Sequence, residues 1–334
     1  MQLLKDVSLK PYNTFGVDVP ADRLIVLENE ADVDGFISSE WAGQPFLLLG
    51  SGANVLFTKP FHGTVVQVGT KGIRELSRDG GRVLLEVAAG EDWDGFVRYC
   101  VRNGYYGVEN LAAIPASAGG AAVQNIGAYG RELKDVLHSL RAVRLSDGRE
   151  LEFACADCGF GYRTSLFKRQ RGEYLVRSVK FSLSLEPQFC TGYGDVAERL
   201  RQRGETTLLS VYEVISEIRR EKLPDVKVLG SAGSFFKNPV VPAGRWEELQ
   251  REFPSLKAFP DGNGGMKLSA AQLIDMSGWK GYRRGDAGVH QRQALVLVNY
   301  GRATGKEIWR LACDIRQDVE RKFAVRLEEE VVLL

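Results

Sequence analysis

The sequence predicts an α+β fold of two or three domains, and three features of the chain indicate this. Its 334 residues exceed what one hydrophobic core usually serves. Short apolar runs typical of buried strands are mixed with amphipathic segments of helical period. Leu223-Pro224 interrupts one helical segment, because proline lacks the N–H that a continuing helix needs. We therefore predict a domain boundary at this dipeptide.

Most of the predicted strands precede this boundary. Runs at 23–28 and 44–49 flank a helical segment at 30–39, and together they form a predicted β-α-β unit. A helix at 91–103 ends at Gly104, because glycine readily adopts the left-handed backbone that closes a helix. The other elements predicted in this part are strands at 63–68, 82–88, 140–145 and 174–185 and helices at 194–203 and 211–221.

The part of the chain after the boundary carries a serine in an unusual setting. Ser234 lies between Gly233 and two phenylalanines in the run GSFFKNP at 233–239. Glycine and Asn-Pro are typical of turns, so a tight turn before a strand explains the run when it is taken alone. The elements predicted beyond it are a helix at 269–277, a strand at 294–299, a long amphipathic helix at 304–323 and a final strand.

Charge and hydropathy exclude several partners. The chain has 44 Lys and Arg against 43 Asp and Glu, so its net charge of +1 provides no global field for nucleic acid or an anionic membrane. No stretch approaches about 18 consecutive apolar residues and the start lacks an apolar leader. We therefore expect a soluble, cytoplasmic protein without membrane insertion. Any anionic ligand is expected to bind to a local cluster of lysine and arginine side chains.

The five cysteines argue against a disulfide framework, because their number is odd and the chain is long. Cys155 and Cys158 have the spacing of a metal or redox pair. No second such pair follows, and His62, His138 and His290 are scattered along the chain. We therefore predict no metal site.

A glycine-rich turn follows the strand predicted at 44–49. In Gly50-Ser51-Gly52-Ala53-Asn54, successive small residues let backbone N–H groups converge on an anion such as a pyrophosphate. The turn is not a Rossmann fingerprint, because Val55 stands where a third glycine belongs and β structure follows. An ordinary glycine turn is the simpler interpretation when the pentapeptide is taken alone.

A second run of small residues, at 114–130, indicates a bulky ligand. Its side chains are too small to fill a core, so we expect something large to occupy the space beside it. This run and the turn at 50–54 are therefore interpreted together as parts of one cofactor site.

Several segments, taken in order, resemble one known family. They are Asn13-Thr14-Phe15, the turn at 50–54, the run at 114–130, Phe160-Gly161-Tyr162-Arg163-Thr164-Ser165, the GSFFKNP run and Leu327-Glu328-Glu329-Glu330-Val331. The chain resembles the UDP-N-acetylenolpyruvoylglucosamine reductases (MurB), flavoenzymes of peptidoglycan precursor synthesis, in the longer form with a tyrosine in its substrate loop. The resemblance extends from Asn13 to the last residues.

The resemblance implies a particular α+β architecture. This is an FAD-binding fold of two α+β subdomains, like that of the vanillyl-alcohol oxidases (PCMH-like), with a separate α+β substrate-binding domain. The FAD-binding region would be 1–222, with subdomains at about 1–70 and 71–222. The UDP-sugar domain would be 223–323, and 324–334 would be a strand returning to the active site.

The resemblance also implies FAD as cofactor and NADPH as hydride donor. Related oxidases attach the flavin to a histidine near the position of Ala53-Asn54, and no histidine stands there, so FAD is expected to bind non-covalently. The predicted cofactor-binding residues are Asn13, Thr14, Phe15, Gly50, Ser51, Gly52, Ala53, Asn54, Ile114, Pro115, Ser117, Gly120, Gln124, Asn125, Gly127, Ala128, Tyr129 and Tyr162.

Three residues are implied to reduce an enolpyruvyl group. Arg163 would grip the substrate carboxylate through paired hydrogen bonds, although alone it is typical of a surface arginine. Ser234 would donate a proton to the inner carbon. Glu330 would donate to the carboxylate as negative charge builds there. Glu328 points the same way in a strand, so spacing alone does not choose between these two glutamates.

The implied substrates are NADPH and UDP-N-acetylglucosamine enolpyruvate, and the implied product is UDP-N-acetylmuramate. The residues predicted to bind the nucleotide sugar are Tyr193, whose flanking glycines let its loop move, Arg219, Lys222, Asn238, Lys267 and Gln293. Either Lys222 or Lys237 would support the Ser234 hydroxyl as an acid. We expect the enzyme to be a monomer.

Two other functions are compatible with these residues. A flavin oxidase of a small alcohol or sugar would be reoxidised rapidly by oxygen and would not depend on Ser234. A non-enzymatic nucleotide-sugar sensor would bind the UDP-sugar without oxidising nicotinamide.

Overall fold

The computed structural model describes residues 1–334, and the chain divides into two compact units. Unit 1 comprises Met1–Val7, Ala21–Ser51 and His62–Arg219. Unit 2 comprises Ser8–Pro20, Gly52–Phe61 and Arg220–Leu334. None of the helices combines the length and the apolar composition that a bilayer crossing requires.

The strands are, in chain order, β1 (Gln2–Ser8), β2 (Pro20–Leu27), β3 (Phe46–Leu49), β4 (Val55–Leu56), β5 (Phe61–Val68), β6 (Ile73–Asp79), β7 (Arg82–Ala88), β8 (Gly127–Ala128), β9 (Arg131–Glu132), β10 (Leu137–Arg144), β11 (Arg149–Ala154), β12 (Tyr174–Ser184), β13 (Gly230–Ser234), β14 (Val240–Pro242), β15 (Ala258–Pro260), β16 (Gly265–Leu268), β17 (Arg283–Arg284), β18 (Ala287–Val289), β19 (Val296–Asn299) and β20 (Val332–Leu333). The α-helices are α1 (Glu30–Ile37), α2 (Trp93–Arg102), α3 (Ala118–Gln124), α4 (Leu166–Arg169), α5 (Val196–Arg203), α6 (Leu208–Lys222), α7 (Ala243–Glu252), α8 (Ala270–Met276) and α9 (Gly305–Phe323).

The larger sheet of unit 1 is antiparallel and has the strand order β11-β10-β12-β7-β6. Strand β7 turns Leu85 and Val87 into the core, because alternate side chains of a strand point to the same face. The apolar faces of α2, α3, α5 and α6 contribute to the same core. At its centre the rings of Trp93, Phe96 and Phe181 contact one another.

The second sheet of unit 1 has the order β1-β2-β5-β3, and β3 runs parallel to β5. Helix α1 packs Val33 and Phe36 into a small core with Ile25 and Val66. The strands and the helix predicted between residues 23 and 49 are confirmed as β2, α1 and β3.

Unit 2 contains an antiparallel sheet of order β13-β19-β18-β17 and a smaller antiparallel sheet of order β14-β16-β15. The long helix predicted at 304–323 is confirmed as α9. Thr304 begins it with a capping box, in which the side chains of Thr304 and Glu307 each bond the other's backbone N–H. Strand β20 pairs in parallel with β4.

Two segments that the sequence suggested to be irregular are regular. The small residues at 118–124 form α3, with Ala118, Ala121 and Ala122 fully buried. The expectation that these side chains could not fill a core was wrong, because their size lets the helix approach the sheet closely, as the 2.8 Å bond from Gly119 N to Ala89 O shows. The segment around Ser234 is strand β13 rather than a turn.

Several elements were not predicted from the sequence. Strand β6 is almost entirely exposed and β11 alternates exposed with half-buried residues, so neither shows an apolar run. The first strand, β1, and the polar helix α7 lack a strong apolar signal for the same reason.

The domain prediction differs from the observed division. The prediction assigned residues 1–222 to one region, whereas Ser8–Pro20 and Gly52–Phe61 belong to unit 2 and the division falls at Arg219. Long-range backbone bonds explain the difference, since Ser231 N donates to Thr14 O at 3.0 Å and Val332 N donates to Asn54 O at 3.0 Å. Pairings of this kind leave no local pattern in a sequence.

Candidate active site

A cavity of about 150 Å³ in unit 1 lies beside the end of β3. Gly50, Ser117 and Gly120 contribute to its wall. A Cβ atom on Gly50 would lie 2.5 Å from Ser117 Oγ, so a larger residue here would displace the Ser117 hydroxyl. Ser117 Oγ in turn accepts a hydrogen bond from Gly120 N at 3.3 Å. The structure thus brings together residues of two segments that the sequence indicated as cofactor-binding.

Helix α3 ends in two amide side chains that differ in their contacts. The Nε2 atom of Gln124 is buried and has no hydrogen-bond partner. Asn125 is fully buried and has a left-handed φ of 45°, which asparagine tolerates better than most residues. Its Nδ2 donates to Gly161 O at 3.0 Å, and its Oδ1 accepts from Lys134 N at 3.1 Å. Asn125 therefore fixes the backbone, whereas Gln124 presents an unsatisfied donor.

Arg163 lies at the tip of a tight turn in unit 1. The turn is closed by backbone bonds in both directions between Gly161 and Thr164, at 3.0 and 3.2 Å. Arg163 has a φ of 55°, a strained conformation for a non-glycine residue that is common at functional sites. Its Nη2 donates to Gly127 O at 2.6 Å, and its guanidinium lies 5.3 Å from the ring centroid of Tyr162.

Three further predicted residues of unit 1 lie near one another. The rings of Tyr129 and Tyr193 meet edge to face with centroids 6.1 Å apart. Burial raises the pKa of Tyr129, and burial lowers the pKa of Arg219, which interacts electrostatically with Tyr129. Arg219 Nε also donates to Ala113 O at 3.2 Å. Tyr193 is 56% exposed, so this group combines a half-buried cation with an accessible aromatic ring.

In unit 2, Asn13 holds its own loop together. Its Nδ2 donates to Leu9 O at 2.7 Å and to Val17 O at 3.0 Å, and its Oδ1 accepts from Val17 N at 3.0 Å. The neighbouring Thr14 is bonded through its backbone, with its N donating to Gly52 O at 3.1 Å. Thr14 Oγ1 is buried and has no partner.

Ser234 is placed by a bulge in strand β13. Its partner on β19 is Val296, and the register shifts between Ser231 and Ser234, where Gly233 has a φ of 70°. A bulge of this kind redirects the side chains that follow it. The next residue, Phe235, is fully buried and its N donates to Leu295 O at 2.8 Å.

The backbone of the C-terminal segment bonds that of Phe235, the residue after this serine. Glu330 N donates to the carbonyl oxygen of Phe235 at 2.8 Å, and Asn54 Nδ2 donates to the carbonyl oxygen of Glu330 at 3.1 Å. The two preceding glutamates are paired with cations on this unit. Glu328 lies 3.4 Å from Lys237 Nζ, and Glu329 lies 2.7 Å from Arg316 Nη1.

The remaining predicted substrate residues of unit 2 lie on or near helices and strands. Asn238 Oδ1 accepts from Ala270 N, the first N–H of α8, at 3.0 Å. Lys222 is the last residue of α6. Lys267 lies on β16, and Gln293 precedes β19 and accepts from Val296 N through its carbonyl at 3.1 Å.

One positioning residue was missed by the sequence analysis. Asn299, buried at the end of β19, donates from Nδ2 to Phe15 O at 2.9 Å. Its Oδ1 accepts from Gly301 N and Ala303 N at 2.8 and 2.9 Å. A polar residue that ends an apolar strand run was the available signal, because buried amides need partners.

Each unit has features that fit a bound FAD. In unit 1 these are the cavity walled by small residues and the unsatisfied Gln124 donor. In unit 2 they are the unsatisfied hydroxyl of Thr14 and the close approach that Gly52 allows, where any Cβ would collide with the carbonyl of Tyr12.

Family models agree with this assignment. Residues 21–154 match the model described as "FAD binding domain", and 224–334 match "UDP-N-acetylenolpyruvoylglucosamine reductase, C-terminal domain". The class of protein that the fold and these matches define is a flavin-dependent oxidoreductase with an FAD-binding domain.

Relatives narrow the class to one family. The UDP-N-acetylenolpyruvoylglucosamine reductase of Chromobacterium violaceum is 47% identical over 100% of this chain and 99% of its own length. That of Pseudomonas putida is 45% identical over 99% of this chain and 98% of its own length. The crystal structure of MurB from Thermus caldophilus has a TM-score of 0.68 and 25% identity, and covers 100% of this chain and 99% of that one. The chain belongs to the UDP-N-acetylenolpyruvoylglucosamine reductase (MurB) family.

Proposed function

We propose that this enzyme reduces UDP-N-acetylglucosamine enolpyruvate to UDP-N-acetylmuramate, with NADPH as the hydride donor and non-covalent FAD as the cofactor. The observation that carries the proposal is the placement of Ser234 on β13, one residue from the carbonyl that accepts the backbone N–H of Glu330. A proton donor and a carboxyl group on two hydrogen-bonded segments suit a reaction that must both protonate and stabilise a carbanion.

The chemistry that FAD supplies when bound is hydride transfer, from NADPH to the flavin and from the flavin to the terminal carbon of the enolpyruvyl group. Gln124 Nε2 and Thr14 Oγ1 are buried without partners and would bond the cofactor. Asn125 and Asn13 would support it indirectly, because their side chains already bond the backbone.

Arg163 would hold the substrate carboxylate on which negative charge develops. Its guanidinium is oriented by the bond to Gly127 O and by the ring of Tyr162. An arginine fixed at two points meets a carboxylate in one geometry and so loses little entropy when it binds.

Ser234 would give its proton to the inner carbon. A hydroxyl is a weak acid, so a nearby positive charge must support the alkoxide that remains. Lys237 is paired with Glu328 at 3.4 Å, which offsets its charge. Lys222, at the end of α6, is the other candidate for this support.

Glu330 would act as a neutral acid toward the same carboxylate. Its backbone N donates to the carbonyl oxygen of Phe235, the residue after Ser234, at 2.8 Å. A carboxyl group that the bound substrate shields from water can stay protonated. It can then donate a hydrogen bond to the substrate carboxylate as negative charge builds there.

The UDP part of the substrate would be bound by Tyr193, Arg219, Lys222, Asn238, Lys267 and Gln293. The enzyme would act as a monomer in the cytoplasm, where it supplies a precursor of the peptidoglycan on which cell shape and division depend. The resemblance of the whole chain to MurB relatives supports this assignment.

An anaerobic spectroscopic experiment tests the proposal. The purified protein should be yellow, should bleach with NADPH, and should recover its colour when UDP-N-acetylglucosamine enolpyruvate is added. Recovery with oxygen but not with the enolpyruvate would indicate an oxidase. Binding of the UDP-sugar without bleaching by NADPH would indicate a sensor.

A further inference from the structure

A buried side chain holds one end of the segment that carries Tyr193. Asn110 is fully buried in the 3-10 turn Glu109–Leu111. Its Nδ2 donates to the carbonyl oxygen of Cys190 at 2.7 Å and to that of Tyr129 at 2.8 Å. One amide thus joins the base of the substrate loop to a residue of the predicted FAD-binding set.

The chain before Cys190 is fixed by further contacts. The ring of Phe189 packs against that of Tyr106 with centroids 5.7 Å apart. Gln188 O accepts a hydrogen bond from Arg131 Nη2 at 3.3 Å. The chain is therefore held in place residue by residue up to Cys190.

The chain after Cys190 has a different character. Residues 192–195 are exposed, and burial resumes only at Val196, which begins α5 with no exposed surface. Tyr193 lies within this exposed segment and is followed by Gly194, which has a φ of 61°. Few residues separate Cys190 from Val196, the two fixed ends. The positions that the Tyr193 ring can reach therefore depend directly on the position of Cys190.

The anchor also fits tightly against its surroundings. A Cβ atom on Gly130 would lie 2.9 Å from Cys190 Sγ. The turn between β8 and β9 is therefore in close contact with Cys190. Asn110 Oδ1 is buried without a partner. Such an atom destabilises the fold, so an apolar residue would serve packing better, and the amide is explained by the two bonds that it donates.

We propose that Asn110 is a positioning residue for substrate closure: it fixes the pivot at Cys190 so that Tyr193 swings onto the nucleotide sugar, and it ties that pivot to the flavin segment at Tyr129. This inference rests on the proposed function. It assigns Asn110 no contact with substrate or flavin, and its effect passes through Tyr193.

A double-mutant cycle tests this assignment in the FAD-loaded enzyme. Asn110→Asp keeps the size of the side chain but removes both N–H donors. We expect the KM for UDP-N-acetylglucosamine enolpyruvate to rise about tenfold, as the loss of two hydrogen bonds implies, while flavin reduction by NADPH slows less than about threefold. In a Tyr193→Ala background the same change should raise KM by less than about twofold.

Two further variants make the result decisive. Asn110→Ala also removes the donors without adding a charge, and it is used if Asn110→Asp folds poorly. Asn103→Asp is the matched control, because Asn103 is exposed and its Nδ2 likewise donates to a carbonyl, that of Tyr99 at 2.8 Å; its kinetics should stay at wild-type values. Equal effects in both Tyr193 backgrounds, or equal losses in both half-reactions, would overturn the inference. Absence of turnover in the wild type would instead overturn the proposed function.

Discussion

Two short segments, one in each unit, place an asparagine next to a second polar residue, and the contrast within each pair is the same. Asn13 and Asn125 have both ends of their amides bonded to other parts of the protein. Thr14 Oγ1 and Gln124 Nε2 are buried with no partner. All four residues were predicted to bind the cofactor. Only Thr14 and Gln124 have a side-chain polar atom that is not already bonded within the protein.

The two asparagines differ in the reach of their bonds. Asn13 bonds only Leu9 and Val17, four residues away on either side. Asn125 reaches Gly161, 36 residues further along the chain. The bond from Asn125 joins two segments that are distant in sequence, whereas the bonds from Asn13 stay within one loop. Removing Asn125 should therefore affect more of the site than removing Asn13.

Asn125→Ala gives the largest expected loss of stability. It removes bonds to Gly161 and Lys134 and places alanine at a φ of 45°, which alanine disfavours. We expect the free energy of unfolding to fall by about 3 kcal/mol, measured by urea denaturation. Asn125→Gly relieves the backbone strain and should recover part of the loss. A loss below about 1 kcal/mol would contradict the anchoring role.

Asn13→Ala should have a smaller effect. It removes three hydrogen bonds within one loop, and we expect the free energy of unfolding to fall by about 2 kcal/mol. The same denaturation experiment measures it. An effect larger than that of Asn125→Ala would show that the reach of the bonds does not decide their contribution.

Gln124→Leu and Thr14→Val should separate binding from stability. Each removes an unsatisfied buried group, so apoprotein stability should change by less than about 0.5 kcal/mol. If these groups bond the flavin, the Kd for FAD should rise about tenfold, measured by quenching of flavin fluorescence. An unchanged Kd in both variants would remove the proposed role of these residues.

Glu328→Gln is expected to have the smallest effect. Glu328 is an exposed partner of Lys237, and exposed pairs contribute little. Flavin reoxidation by the enolpyruvate substrate should change less than about twofold, whereas Glu330→Gln should slow it by about a hundredfold. Equal slowing by the two variants, in stopped-flow measurements, would show that the C-terminal carboxyl was assigned to the wrong residue.

The sequence predicted the elements whose signals are local. Periodic apolar residues indicated α2 and α9, and the strand before Gly50 was evident from four apolar residues. Strand β6 could not be predicted, because its exposed face and polar residues carry no apolar pattern. The tertiary pairing of β20 with β4 could not be predicted either, since it joins residues 277 positions apart such as Val55 and Val332.

The same limit applies to the site. Motifs predicted which residues would belong to it, but not which of their polar atoms are already bonded within the protein. That distinction depends on partners distant in sequence, as between Asn125 and Gly161 or Asn54 and Glu330. The sequence likewise gave no reason to consider Asn110, whose two acceptors are 19 and 80 residues away.

The most direct test of the account is single-turnover kinetics of Ser234→Ala. The serine is proposed to protonate the inner carbon and to take no part in flavin reduction. Reduction by NADPH should therefore stay within about twofold of wild type, while flavin reoxidation by UDP-N-acetylglucosamine enolpyruvate should slow by about a thousandfold or more. Similar losses in both half-reactions, or rapid reoxidation by the substrate, would contradict the central claim.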